Sequence, residues 1–303
     1  MKPLLFTLHA ADYLVDSIIA SGAFEPGKIE HRRFPDGESY IRLDTPMDDR
    51  AVVLLCSLDR PDQRIMPLLL AADAARQQGA HQVGLIAPYL AYMRQDKAFR
   101  SGEAISAHSF ASILSRHFDW LVTIEPHLHR IASLGDVFRI PARAAEATGP
   151  IGDWIKANVD KPFLIGPDRE SAPWIERIAN HVGAPFAVLE KQRLGDREVQ
   201  ITGHLEGLQD CVTPVVVDDI VSSGGTMAEI IERIAQATSQ PALYVAVHAL
   251  AEKLTDRVTR SKGLSRLVSC NSVSHSTNEI DIAAPLIADA EDLIMQTSAR
   301  HRL

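Results

Sequence analysis

Short apolar runs rich in Val, Ile and Leu alternate along this chain with longer stretches in which apolar residues recur at helical spacing. The runs Ala51–Ser57, Gln82–Ala87, Trp120–Ile124, Pro162–Ile165, Pro214–Val217, Ala242–Ala249 and Arg266–Ser269 read as strands. The stretches near Ala10–Ala20, Met66–Gly79, Ala104–His117, Ile151–Asn158, Ala172–Val182, Thr226–Thr238 and Pro285–Thr297 read as helices. In the second of these, Leu69, Ala72, Ala75 and Arg76 fall at helical spacing, and Gly79 stands where a C-terminal cap belongs. Strands of this length alternating with helices predict βαβ units and mostly parallel sheets, an α/β fold.

The two halves share an outline of strand, charged loop and helix. The stretch Ala144–Gly152, with Thr148-Gly149-Pro150, suggests a boundary. It separates an N-terminal domain 1–146 from a C-terminal domain 147–303 whose tail is free to pack back on the first. The length of 303 residues suits that division. With 46% hydrophobic and 23% charged residues the composition is ordinary for globular proteins, so it excludes wholesale disorder. A net charge of −8 argues against a general nucleic-acid surface but leaves room for a local basic pocket. Cys56, Cys211 and Cys270 form no metal or redox spacing and read as reduced thiols. Met1–Ala10 lacks the apolar run of a signal peptide, and no stretch approaches the roughly 20 apolar residues of a membrane span. A cytoplasmic protein without a membrane partner is the expectation.

The sharpest chemical signal is Val215-Val216-Val217-Asp218-Asp219-Ile220-Val221-Ser222-Ser223-Gly224-Gly225-Thr226. An apolar strand runs into two acids, then into serines, glycines and a threonine that open a helix. Glycines let the backbone approach a ligand closely, and successive N–H groups at a helix start attract anions. The hydroxyls of Ser222, Ser223 and Thr226 add donors to phosphate oxygens. Asp218 and Asp219 are wrong for phosphate but suit sugar hydroxyls, or a Mg²⁺ bridging to them. Gly-Gly-Thr alone is an ordinary strand–turn–helix with a cap; the whole string reads as a grip on a phosphorylated sugar. It lacks the Gly-x4-Gly-Lys-[Ser/Thr] of a P-loop.

That string resembles the phosphoribosyl-diphosphate motif of type I phosphoribosyltransferases and of the ribose-phosphate pyrophosphokinases that make their substrate. Phe34-Pro35-Asp36-Gly37-Glu38 and Pro88–Lys97 resemble the ATP-contacting segments of the pyrophosphokinases, which a phosphoribosyltransferase would not need. Phe34 offers a stacking face, and Arg94 and Lys97 meet phosphate charge. Asp36, Glu38, Gln95 and Asp96 read adenine or ribose through hydrogen bonds. In Thr123-Ile124-Glu125-Pro126-His127-Leu128-His129-Arg130 the resemblance gives His127 a metal and ATP role, with Glu125 where the family has Asp; His129 is ambiguous. It places a metal- or ribose-contacting acid at Asp168, and the catalytic cations at Lys191 and Arg193 in a polar stretch through Gln200 suited to a mobile loop. Glu190–Leu194 and Phe99–Ser106 are closer to the archaeal-type branch.

Membership of this family implies two tandem phosphoribosyltransferase-like domains with the active site between them, in a homo-oligomer of dimer size or larger. It implies transfer of the β,γ-diphosphate of ATP to the 1-hydroxyl of ribose 5-phosphate, with Mg²⁺. A phosphoribosyltransferase, a catalytically weak regulatory relative, and a synthase with an altered donor or acceptor stay open as alternatives.

Overall fold

The central strands are buried on both faces, which is why their apolar runs are continuous and not alternating. Ala51–Cys56 and Gln82–Ile86 are buried throughout, as is Ala242–Ala249. The computed structural model describes residues 1–128, 130–193, 199–202, 205, 208, 213–251, 258, 261 and 263–300, without the side chains of 190–193, 199–202 and 300. The chain forms two compact units. The first takes Met1–Glu146, Ser272–Ser274 and Ile282–Leu303; the second takes Ala147–Asn271 and His275–Asp281.

In the first unit the elements run β1 (Leu4–His9), α1 (Asp12–Ala20), β2 (Glu25–Pro26), β3 (Ile29–Arg33), β4 (Ser39–Leu43), β5 (Ala51–Cys56), α2 (Pro61–Gln77), β6 (Gln82–Ile86), α3 (Ser106–His117), β7 (Trp120–Ile124) and β8 (Ala142–Ala145). Six strands make one parallel sheet in the order β2-β1-β5-β6-β7-β8. β3 and β4 form a separate antiparallel hairpin. The pairing of Gly84 with Trp120 shows how tightly the sheet is covered: a Cβ on Gly84 would stand 1.9 Å from the indole Cε2. Only glycine leaves room for that ring.

The second unit repeats the plan. Its elements are α4 (Thr148–Asn158), β9 (Pro162–Gly166), α5 (Ala172–Val182), β10 (Phe186–Val188), β11 (Glu190–Arg193), β12 (Val199–Thr202), β13 (Thr213–Val221), α6 (Gly225–Ala237), β14 (Ala242–Ala249), β15 (Leu264–Cys270) and β16 (Asn278–Ile280). The six-stranded sheet is again parallel, in the order β10-β9-β13-β14-β15-β16. Again an antiparallel hairpin, β11–β12, stands between the second and third sheet strands in chain order. Phe163, Ile165, Val216, Tyr244, Ala246, Met227, Ile230 and Ile234 build the core between this sheet and α6.

The last helix, α7 (Ala283–Arg300), belongs to the first unit, where it packs on α1, β6, β7 and β8. Arg143 of β8 donates to Asp289 at 3.1 Å and to Asp292 at 2.8 Å. The buried Gln82 amide donates to the Thr297 hydroxyl. The preceding Ser272–Ser274 also joins this unit, with the buried Ser57 hydroxyl donating to the Ser272 carbonyl at 2.5 Å.

Some elements depart from expectation. α2 begins at Pro61, not Met66, because proline suits a first turn whose N–H groups have no partner, and it continues through the buried Pro67. Its buried stripe is Pro67, Leu68, Ala71, Ala72 and Ala75, while Arg76 is exposed and pairs with Asp119 at 3.1 Å. Thr148-Gly149-Pro150, in the stretch read as a boundary, forms the first turn of α4. Cys56 and Cys270 are buried thiols; Cys211 lies outside the described residues.

Candidate active site

Each sheet changes winding direction once, and the second unit does so between β9 and β13. Ligands of open parallel sheets collect beyond the carboxyl ends of strands at such a point. Asp168, just after β9, and Asp218 and Asp219, near the end of β13, stand there. Asp168 caps a short 3₁₀ turn, accepting from the Ser171 N–H at 3.0 Å, so a local capping role is satisfied as well. Ser222 and Ser223 are exposed, and Gly224 leads into α6 with φ +82°, a conformation that side chains other than glycine resist. α6 begins at Gly225, so the positive end of its dipole opens on the same turn and favours an anion placed there. Asp218 and Ser222–Met227 line one cavity together with Tyr244.

The two acids are not equivalent. Asp219 is half-buried, whereas Asp218 is 9% exposed and accepts from the Tyr244 hydroxyl at 2.6 Å and from the Asp219 N–H at 2.9 Å. Burial, with the Asp219 charge second, pushes the Asp218 carboxyl up to about 7, against the pull of the Tyr244 hydroxyl. Asp168 adds to the upward push, so three carboxylates share one field. Burial and the Asp218 charge push the Tyr244 hydroxyl well above its ordinary range. An unfolded aspartate releases its proton near 3.8, while the folded Asp218 holds it to about 7. The stabilising contribution is therefore complete below about 3.8 and lost as pH rises through about 7. Thermal denaturation of Asp218→Asn should show a flatter stability profile than the parent across that window. Equal slopes in the two proteins would contradict the assignment.

In the first unit, Phe34–Glu38 is the turn of the β3–β4 hairpin. The Phe34 N–H donates to the Glu38 carbonyl at 2.8 Å, and Gly37 to Phe34 at 2.9 Å. Phe34 is 40% exposed; its ring meets Tyr40 edge-on, and the Arg32 guanidinium lies 4.7 Å from its centroid and 4.1 Å from that of Tyr40. Asp36 and Glu38 are exposed. After β6, Arg94 and Lys97 are exposed and Gln95 is half-buried. Asp96 is committed within the protein: its side chain is almost buried and accepts from the Arg130 backbone at 3.1 Å and guanidinium at 3.0 Å. Burial alone would raise the Asp96 carboxyl, but the Arg130 charge and hydrogen bonds hold it below the usual range. Glu125 sits at the end of β7 with φ +37°, an uncommon conformation for a non-glycine residue, and His127 beyond it is half-buried.

Lys191 and Arg193 lie on the backbone of β11, but their side chains are outside the described residues, as are Gly195 and His129. Among the described residues no group of three or more His, Cys, Asp or Glu side chains is placed to hold a metal ion by itself. Sequence reasoning missed Tyr244 and Arg130. Tyr244 is a buried tyrosine between the apolar Leu243 and Val245, and a phenol so placed signals a hydrogen-bond acceptor nearby.

Comparison with known proteins places the chain in a family. Residues 3–117 match the N-terminal domain of ribose phosphate pyrophosphokinase, and residues 133–284 match the phosphoribosyl transferase domain. A ribose-phosphate pyrophosphokinase of Saccharolobus solfataricus is 33% identical over 262 residues, 84% of this chain and 87% of that protein. One from Sulfurisphaera tokodaii is 30% identical over 266 residues, covering 86% and 90% of the two chains. Both sources are archaeal, in keeping with the archaeal-type likeness of Glu190–Leu194 and Phe99–Ser106. The fold matches the crystal structure of phosphoribosylpyrophosphate synthetase from Mycobacterium smegmatis, with a TM-score of 0.80 at 23% identity over 97% of this chain and 99% of that one. Two domain matches in tandem, and a 33% identical relative aligned over most of both chains, make this protein a member of the ribose-phosphate pyrophosphokinase family.

Proposed function

We propose that this enzyme transfers the β,γ-diphosphate of ATP to the 1-hydroxyl of ribose 5-phosphate, releasing AMP. The observation that carries the reading is the β13–α6 turn. It sets the acids Asp218 and Asp219 beside the N-terminal end of α6 at the switch point of a parallel sheet. The 5-phosphate takes the helix start and the hydroxyls of Ser222, Ser223 and Thr226. The ring hydroxyls face Asp219, with Asp218 behind it. In the first unit Phe34 offers its exposed face to adenine, Asp36, Glu38 and Gln95 offer hydrogen bonds, and Arg94 and Lys97 offer charge to the phosphates.

In the reaction the sugar O1 forms a bond to the β-phosphorus, the bridge from the α-phosphate to the β-phosphorus breaks, and the hydroxyl proton leaves to solvent. Lys191 and Arg193 neutralise the charge that develops on the transferred group. The donor set suits Mg²⁺: Asp168, Asp218 and Asp219 are hard oxygen donors, and the charges of Asp168 and Asp219 both act on Asp218. Magnesium is commonly held by one or two carboxylates plus substrate phosphates, so Asp168 is the residue of the second unit that would hold it, and His127 that of the first. When bound, it would neutralise polyphosphate charge. Among the described residues no helix is long and apolar enough to cross a membrane. A cytoplasmic homo-oligomer completes the reading.

The test follows AMP release from ATP and ribose 5-phosphate with no nucleobase present, with Mg²⁺ and with chelator. AMP formation that needs both substrates and the metal supports the synthase. Its absence, with nucleobase-dependent diphosphate release instead, would identify a phosphoribosyltransferase.

A further inference from the structure

We propose that Tyr244 is a positioning residue of the ribose 5-phosphate site, holding the Asp218 carboxylate in one orientation through a buried hydroxyl-to-carboxylate hydrogen bond. This rests on reading the β13–α6 turn as the sugar-phosphate site. The parallel register pairs Val216 with Tyr244 and Asp218 with Ala246. Residues two apart on a strand share a face, so a side chain starting beside Val216 has Asp218 next along the same face, toward the strand's carboxyl end. The phenol spans that distance, and its hydroxyl donates to Asp218 Oδ2 at 2.6 Å.

Two observations separate this contact from ordinary core packing. The tyrosine is fully buried in an apolar cluster with Val216, Ile230, Met227 and Phe163, where phenylalanine would fill the volume without bringing in a polar atom. Its hydroxyl also ends at the cavity that the phosphate-loop residues line, bonded to the acid beneath it. The Asp219 N–H holds the other oxygen, Oδ1, at 2.9 Å. A carboxylate held at both oxygens cannot swing, and Asp219 N–H is one of the two holds, so the same network sets the backbone from which the Asp219 side chain projects. Without the hydroxyl, Asp218 loses the hold on Oδ2 and keeps an acidic neighbour whose charge repels it.

Tyr244→Phe keeps the ring and removes the anchor. In the full-length chain, calorimetry and steady-state kinetics should show ribose 5-phosphate binding weakened about 10-fold, the affinity equivalent of one hydrogen bond. The KM for ATP should be unchanged and the thermal midpoint close to the parent's. In an Asp218→Asn background the same substitution should add less than about 2-fold, because the pair is coupled. Ribose 5-phosphate affinity within about 2-fold of the parent in Tyr244→Phe would overturn the proposal, as would equal effects in both backgrounds. A parent protein that binds no ribose 5-phosphate would instead sink the reading of the turn. If Tyr244→Phe does not fold, ¹³Cζ-tyrosine spectra of the parent decide the matter. The Tyr244 resonance, assigned by its shift in Asp218→Asn, should move on saturation with ribose 5-phosphate; a stationary signal refutes the role.

Discussion

Replacing Lys191 or Arg193 by alanine is expected to lower turnover about 10²- to 10³-fold each, with thermal midpoint and circular dichroism unchanged. Displacement at the β-phosphorus gives a protein little covalent work to do, so rate comes from positioning and from charge placed where negative charge develops. A preorganised donor on such charge contributes about 3–4 kcal/mol. Both residues lie on one edge of a two-stranded hairpin, with Lys191 opposite Ile201 and Arg193 opposite Val199. The backbone has its own ladder there and does not depend on either cation. AMP release at saturating substrates is the measurement, and near-normal turnover in both variants would end their catalytic assignment.

Asp219→Ala should weaken ribose 5-phosphate binding about 100-fold while leaving ATP binding alone. A carboxylate taking two sugar hydroxyls forms charge-assisted hydrogen bonds of roughly 1.5–3 kcal/mol each, part of which water replaces in the variant. The substitution also separates binding from folding. Asp219 repels the buried Asp218, so its removal relieves a strain on the folded state and the thermal midpoint should hold or rise. Calorimetry showing parental sugar-phosphate affinity would refute the contact.

How much of this was legible in the sequence depended on distance along the chain. Strands such as β5, β6 and β14 were plain because burial on both faces writes an unbroken apolar run. The β3–β4 hairpin left no such mark: His31, Arg32 and Arg33 face Ser39, Tyr40 and Ile41 across a largely solvated ladder. β8 and β16 are too short to show a period. The turn from Asp218 to Thr226 was readable because its acids, serines and glycines are contiguous. Tyr244 and Arg130 were not, since each reaches its acid from another element, and neither residue type announces its partner. The period of α7 predicted a helix and its place at the tail left it free to pack back on the first domain, but nothing in the sequence singled out β6 and β7 as the strands it covers.

That return of α7 sets a schedule for biosynthesis. A ribosome delivers the first sheet early, yet the helix that covers β6, β7 and β8 is made only after the second unit has emerged. Until then the apolar flank of the first sheet stands open to water and to other nascent chains. The second unit can close on itself sooner, so the half synthesised last should be the first to reach its final packing.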